Sequence, residues 1–462
     1  MSKDLVSQDL TSQDLAPKGL TSWLSYIESL HPKSIAMGLD RVKRMIDRLQ
    51  LDPRFPLITV AGTNGKGSTC AMLEQIYQQA GYRVGCYSSP HLLRYNERVR
   101  VDGVEVSDED LCAAFTVVDA ARIAENELAI PLTYFEVGTL AAVWNFMQVG
   151  VDVAILEVGL GGRLDAVNAF NPSCAIVTSV DLDHQEFLGD TRECIGFEKA
   201  GIYRASVPAI CGDIKPPASL LTHAHEIQAD LKCIHQDFDC LLDKDGWQYQ
   251  VNEKTVHSLP LPALQGRYQL SNAACAITAI ESLQSRLPVK TVAIASALLQ
   301  VKLAGRFQTV SRLPSESRLY RLILDVAHNP QAANALAENL SATSTRQGKR
   351  HLGKTFAVFA MLADKDIKGV IEAVKGEIDG WYVADIDHVR GALASDLAEI
   401  IERTTPNACI KVFNCAENAY RQACIDIETY KDVNENDKII VFGSFFTVSA
   451  VMQLLSNNEC KR

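Results

Sequence analysis

The sequence predicts an α/β protein of two units, each a largely parallel sheet flanked by helices. Three observations carry this. Short β-rich runs alternate with helical patterns along almost all of the 462 residues. Runs such as VDVAILEV (151–158) are apolar nearly throughout, as strands covered on both faces are. A second alternating block opens near residue 320, after a polar stretch containing proline.

Taken in order, the opening MSKDLVSQDLTSQDLAPKGL repeats SQDL at 7–10 and 12–15 and lacks the apolar core of a signal peptide. Residues 1–18 are therefore expected to form a disordered extension. Strands are expected at 57–61, 83–87, 152–158, 174–180 and 207–211, and helices at 66–80, 107–127, 135–148 and 191–203. The helix at 107–127 has a local start signal: SDED (107–110) supplies an N-cap serine and first-turn acids ahead of an apolar-periodic run. Residues 238–262, with DKDG and LPLP, read as a small β meander. The boundary is placed between LAGRFQTV (303–310) and RLPSESRLYR (312–321), giving domains 19–310 and 311–462. The second domain carries RLILDVA, TFAVFAM, WYVADI, IKVFN and KIIVFGS, each followed by a helical stretch. The segment SATSTRQGKRHLGK (341–354) reads as a solvated basic loop.

Composition narrows the function classes. Lys and Arg number 45 against 56 Asp and Glu, a net charge of −11. That balance argues against a nucleic-acid binder, whose footprint is a basic face. No apolar run approaches the roughly eighteen residues of a membrane span. The thirteen cysteines include no C-x-x-C pair, so reduced thiols and a cytoplasmic setting are expected rather than a disulfide or zinc framework.

Most of the chemistry-bearing stretches follow apolar strands. PLITVAGTNGKGSTCAML (56–73) has the strand, Gly-rich turn, lysine and helix of a phosphate loop, yet departs from G-x-x-x-x-G-K-[ST]. Gly62 and Gly65 let backbone approach an anion, Lys66 adds mobile charge, and Ser68 or Thr69 can reach a magnesium ion. The alternative is a surface turn that contains a lysine. In LEVGLGGRLDAVN (156–168), Glu157 ends a buried strand, where a carboxylate is costly unless it meets a metal or cation; an ordinary Gly-rich turn is the competing reading. In TSVDLDHQEFLGDT (178–191), His184 follows Asp181 and Asp183, on a strand expected to neighbour that of Glu157. Lys199, in FEKAGI, has neighbours too apolar for a solvated charge. In LILDVAHNPQAA (322–333), Asp325 and His328 again stand where strand gives way to helix, with Asn329-Pro330 a fitting helix cap. His223 and His225, two apart, are expected to be exposed.

Together these stretches resemble the folylpolyglutamate synthase/dihydrofolate synthase family of the Mur ligase superfamily. The motifs run in order from about residue 20 to 455: GTNGKGS, SSPHLLRYNERV, TYFEVGTL, EVGLGGRLDAVN, DHQEFLG, EKAGI, LAGRFQ, DVAHNP, MLADKD and GSFFTV. The resemblance resolves the irregular loop, since G-x-x-G-K-G-S is this family's form. It implies a P-loop-containing Mur ligase-type ATPase domain, a smaller Rossmann-like C-terminal domain, and an ATP-dependent amide ligase acting through an acyl phosphate. The implied substrates are dihydropteroate, reduced folates, L-glutamate and ATP, with no nucleic acid or membrane partner and a monomeric chain.

The resemblance also implies residue roles. Gly62, Thr63, Asn64, Gly65, Lys66, Gly67, Ser68, Asn272, Arg306, Asp325 and His328 would hold ATP. Ser68, Ser89, Glu157 and His184 would ligate one or two magnesium ions, with manganese tolerated and potassium a further possible ion. Lys66, Glu157, His184 and Lys199 would be catalytic, Lys199 as a carbamate. Arg94, Thr133, Tyr134, Phe135 and Arg390 would contact the folate or another anionic substrate. Core packing is the alternative for the two aromatics. Phe446 stands in GSFFTV where compared members carry histidine, removing a polar group there. Polyglutamylation alone, a muramyl-peptide ligase, and a nucleotide-gated binding protein are the alternative functions.

Overall fold

The computed structural model describes residues 17–33, 35–123, 128–244, 246–310, 320–343, 345–346, 349–350, 353–429 and 436–460. The expected N-terminal extension lies outside these except for residues 17–18, as does most of the polar stretch at the expected boundary (311–319).

The first sheet contains β1 (Leu57–Ala61), β2 (Val84–Tyr87), β3 (Val99–Val101), β4 (Val104–Glu105), β5 (Val153–Glu157), β6 (Cys174–Val177), β7 (Pro208–Cys211) and β8 (Asp230–Cys233). Their order is β4-β3-β2-β5-β1-β6-β7-β8, parallel except for the two antiparallel pairings that add β3 and β4 at one edge. Strands β1 and β5 are buried at every position, which is why their sequence shows no polar alternation. One face packs on the helices Asp108–Arg122 and Tyr134–Val149, the other on Lys66–Gln79, Tyr268–Ser282 and Thr291–Gln300. Ser107 caps its helix as expected, its hydroxyl accepting from the Asp110 N–H at 3.1 Å.

The expected meander is present as β9 (Phe238–Leu242), β10 (Trp247–Val251) and β11 (Lys254–Leu259), an antiparallel three-stranded sheet. The second large sheet uses β12 (Gln308–Val310), β13 (Arg321–Leu324), β16 (Thr355–Phe359), β17 (Gly380–Ala384), β18 (Cys409–Phe413) and β19 (Lys438–Phe442), in the order β12-β13-β19-β16-β17-β18. Only β12 runs antiparallel. Because β12 pairs with β13, residues 308–310 already sit in the second sheet, ahead of the expected boundary. The expected basic loop carries the short pair β14 (Thr345–Arg346) and β15 (Lys349–Arg350) among its described residues.

Two expectations change. The strand preceding His184, β6, does not neighbour β5; β1 lies between them. The central strand is thus the one that feeds the glycine loop, and Glu157 and His184 emerge on either side of it. His223 is half-buried against the Phe197 ring, 5.7 Å between centroids, while His225 is exposed. No helix of the described residues is long and apolar enough to cross a membrane.

Candidate active site

A cleft of about 1470 Å³ opens where the carboxyl ends of both sheets face each other. Parallel sheets place ligands there because loops and helix N-termini converge at that end. Its floor is the glycine loop. Gly62 and Gly65 have φ of 151° and 89°, and a methyl group on either would overlap the Thr178 hydroxyl or the Asn272 amide. The loop is tied to β6 by the Thr63 N–H to Ser179 O (2.8 Å), the Asn64 N–H to Ser179 Oγ (3.0 Å) and the Thr178 hydroxyl to Asn64 O (2.6 Å). Lys66 opens the following helix and folds back, donating to Gly62 O (3.0 Å) and Thr63 O (3.3 Å). First-turn N–H groups of such a helix lack intrahelical acceptors and face anions favourably. Ser68 is buried and accepts from Gln269 Nε2 (3.2 Å), which also holds Asn272 through its Oε1 (3.0 Å).

Glu157 is 4% exposed at the end of β5. Its carboxylate accepts the Ser89 N–H at 3.3 Å, and burial raises its proton affinity, opposed by Lys66 and Arg306. A methyl on Gly67 would stand 3.9 Å from Glu157 Oε2 and 3.8 Å from Arg306 Nη2, so loop, carboxylate and arginine are neighbours. A buried carboxylate with one backbone hydrogen bond and no ion pair within 4 Å among the described residues suits a divalent cation. No group of three His, Cys, Asp or Glu converges among the described residues. The expected set of Ser68, Ser89, Glu157 and His184 instead offers mainly oxygen donors, which magnesium takes together with retained water.

His184 lies in a loop pinned by Asp213, whose carboxylate accepts from the Val180 N–H (2.7 Å) and from Arg192 (2.9 Å). His184 has a left-handed backbone (φ 51°), and burial holds its imidazole down at about 4, so it is neutral near pH 7. Lys199 is 4% exposed on the helix Arg192–Ala200, and burial with the nearby Lys66 charge lowers its ammonium to about 7. Asp165, unmarked by the sequence reading though within a quoted motif, also lines the cleft. Burial pushes its carboxyl to about 7 despite the N–H bonds it accepts from Leu160 and Val167.

The second domain closes the cleft from above. Asp325 is buried, raised by burial, and accepts N–H bonds from Phe307 (2.7 Å) and Ala327 (2.8 Å), fixing the stretch that carries Arg306. His328 places Nδ1 2.8 Å from Val326 O and Nε2 3.7 Å from Asp183. Asn329 caps the helix Pro330–Thr343 as expected, accepting from the Ala332 N–H at 2.9 Å. It also exchanges amide hydrogen bonds with Asn64 at 3.1 Å in both directions, joining the glycine loop to the second domain. Gln331 accepts from Asn64 at 2.6 Å, and Lys365 of MLADKD donates to Asp183 at 2.6 Å. Nothing in the local pattern marked Gln331 or Lys365, because each pairs with a residue from the other domain.

The substrate wall differs in part from expectation. Tyr134 and Phe135 line the cleft, and Phe135 packs tilted on Tyr87, 5.7 Å between centroids. Thr133 lines it too, but its hydroxyl and Glu136 form a capping box that starts the helix Tyr134–Val149. The T-x-x-E spacing was a legible signal for that role. Arg94 does not reach the cleft: it is exposed and pairs with Asp108 at 3.2 Å. Glu97 explains the displacement, since its carboxylate accepts the N–H groups of Leu92, Leu93 and Arg94 and folds that turn outward. Arg98 faces the cleft instead. Arg390 lines the cleft mouth held by Asp364 (2.7 Å), and the half-exposed Phe446 ring lies 4.9 Å from that of His388.

Residues 60–280 match the Mur ligase middle domain and 305–445 the Mur ligase, glutamate ligase domain. The chain is 42% identical over 441 residues to the dihydrofolate synthase/folylpolyglutamate synthase of Escherichia coli K12, covering 95% of this chain and 96% of that protein. It is 40% identical to the Haemophilus influenzae protein of the same description, covering 94% and 97%. Its fold matches E. coli FolC in complex with DHPP and ADP at a TM-score of 0.85, 41% identity, covering 96% and 99% of the chains. It also matches a bifunctional folylpolyglutamate synthase/dihydrofolate synthase with Mn, AMPPNP and L-glutamate bound, at 0.82, 42% identity, covering 95% and 98%. The glycine loop, the carboxylate beside it and the second domain closing over both are therefore those of a chain that belongs to the dihydrofolate synthase/folylpolyglutamate synthase family of Mur ligases.

Proposed function

We propose that this cleft joins L-glutamate to the carboxyl of dihydropteroate, giving dihydrofolate, and to the γ-carboxyl of reduced folates, at the expense of ATP. The protein is an ATP-dependent acid–amino-acid ligase. The observation that carries the site assignment is the convergence of the glycine loop, Lys66, Glu157 and Arg306 within one cleft, walled by Tyr134 and Phe135.

A carboxylate is a poor electrophile, and phosphorylation gives it a leaving group that the glutamate amine then displaces. The chain positions three reactants and offsets their charge. Loop N–H groups and Lys66 hold the β- and γ-phosphates; Asn272 and Arg306 flank the nucleotide, with Asp325 fixing the Arg306 stretch. Ser68, Ser89, Glu157 and His184 would hold magnesium or manganese, which when bound neutralises phosphate charge. Lys199 would add carbamate oxygens to that region. His328 and Lys365 bring the second domain down over the acyl phosphate, excluding water that would otherwise hydrolyse it.

The test is mass spectrometry of products formed with ATP, magnesium, L-glutamate and either 7,8-dihydropteroate or tetrahydrofolate. Dihydrofolate from the first and a diglutamate from the second are expected. Extension of tetrahydrofolate alone reduces the function to polyglutamylation, and product from neither overturns it.

A further inference from the structure

Among the described residues, the aromatic wall of the cleft carries one cation whose charge the rest of the fold leaves uncommitted; Arg267 and Lys215 also line the cleft but are exposed and stand over no ring. Arg192 and Arg390, which also line the cleft, are engaged by Asp213 and Asp364. Arg306 lies over the Phe445 ring on the nucleotide side. Arg98 has no carboxylate within ion-pair distance among the described residues. Its guanidinium carbon stands 5.3 Å from the centroid of Tyr95 and 5.5 Å from that of Tyr134. Its Nε donates to His91 Nδ1 at 2.8 Å. Nη1 and Nη2 have no acceptor among the described residues, so the outer fork of the guanidinium is the part left to bind. Such a fork matches a carboxylate in bidentate geometry.

The position of this fork along the substrate path is fixed by backbone. The Ser88 N–H donates to Arg98 O at 2.9 Å, Tyr87 pairs with Val99, and the next residue, Ser89, donates to Glu157. Arg98 therefore belongs to the end of the aromatic wall nearest the glycine loop. Dihydropteroate brings a single carboxylate, the one that reacts. A substrate already carrying its first glutamate, joined through the amine, brings two: the γ-carboxyl that reacts and an α-carboxylate that does not. Enclosing that second charge without a partner carries its uncompensated desolvation penalty.

We propose that Arg98 recognises the unreacted α-carboxylate of the glutamate already attached to the substrate, and so serves chain extension but not the first ligation. This rests on the ligase function above and adds to it a residue that separates the two reactions. Tyr95 and Tyr134 hold the guanidinium plane by cation–π contact, and His91 fixes its rotation by occupying Nε.

Dihydropteroate and dihydrofolate differ only by the glutamate, so equilibrium binding of both to the ADP-saturated protein isolates the effect. In Arg98→Gln the dissociation constant for dihydrofolate should rise on the order of 10- to 100-fold, the range of a charged hydrogen-bonded pair, with that for dihydropteroate within about threefold. Arg98→Lys keeps the charge but not the fork and should give a smaller change in the same direction; it carries the comparison if Arg98→Gln melts early. Equal weakening of both ligands, or of neither, overturns the inference. Turnover of the unmodified protein separates the two levels. Product from neither substrate refutes the ligase function, whereas product from both with an unchanged binding ratio refutes only the role of Arg98.

Discussion

Asp183 of the first domain accepts a 2.6 Å hydrogen bond from the Lys365 ammonium of the second, with both side chains about nine-tenths buried. His328 places its Nε2 3.7 Å from the same carboxylate. Burial alone would raise Asp183, but hydrogen bonding to His328, with His184 and the Lys365 ammonium nearby, holds it well below the usual carboxylate range. The Asn64–Asn329 amide pair lies beside them, so domain closure and the glycine loop share one set of contacts.

Removing Lys365 leaves Asp183 as an uncompensated buried charge, a loss of about 3–5 kcal/mol when a buried pair is broken. Opening the cleft relieves it by hydration. Lys365→Ala should therefore enlarge the radius of gyration in small-angle scattering and raise the KM for glutamate. Unchanged scattering with normal turnover would show that Lys365 does not hold the domains together.

Lys66→Ala and Glu157→Ala should each all but abolish ligation, by about 10²–10³-fold, the scale of losing one preorganised electrostatic group. Lys66 is spent on two carbonyls of its own loop and Glu157 on one backbone amide, so neither supports much of the core. Circular dichroism and melting should be near normal. Folded variants with full turnover would displace the active site from this loop.

Lys199 should accept carbon dioxide. With its ammonium lowered to about 7, the neutral nucleophilic amine is a large fraction at neutral pH, where a solvated lysine has almost none. Carbamate yield at fixed dissolved carbon dioxide should rise as pH increases through 7 and fall below it, because only the deprotonated amine reacts. Carbon-13 NMR with labelled bicarbonate reads this directly. A lysine signal absent at pH 8, or unaffected by Lys199→Arg, would refute the modification.

Thr133→Ala should cost about 1 kcal/mol of stability through the lost helix cap, while Thr133→Ser restores it. Urea denaturation measures this. A KM change with unchanged stability would return Thr133 to the substrate-contact role expected from its motif.

The strand and helix periods, the glycine spacing of 62–68, the capping signal at Ser107 and the two alternating blocks were legible because each is local: a few neighbouring side chains dictate it. The resemblance of the ordered motifs carried the function for the same reason. Strand order was not local. Placing β1 between β5 and β6 depends on pairings between residues about a hundred positions apart, and it decides that Glu157 and His184 flank the loop rather than adjoin each other. The choice between Arg94 and Arg98 was likewise invisible, because Glu97 uses three backbone N–H groups to turn one arginine outward. The sequence by itself determined the fold class, the phosphate loop and the family, all short-range patterns. Only the tertiary structure decided which charges are buried, which are paired across the domains, and that the Arg98 fork faces the cleft without a carboxylate partner among the described residues, since burial and Coulomb energy depend on distance in space rather than along the chain.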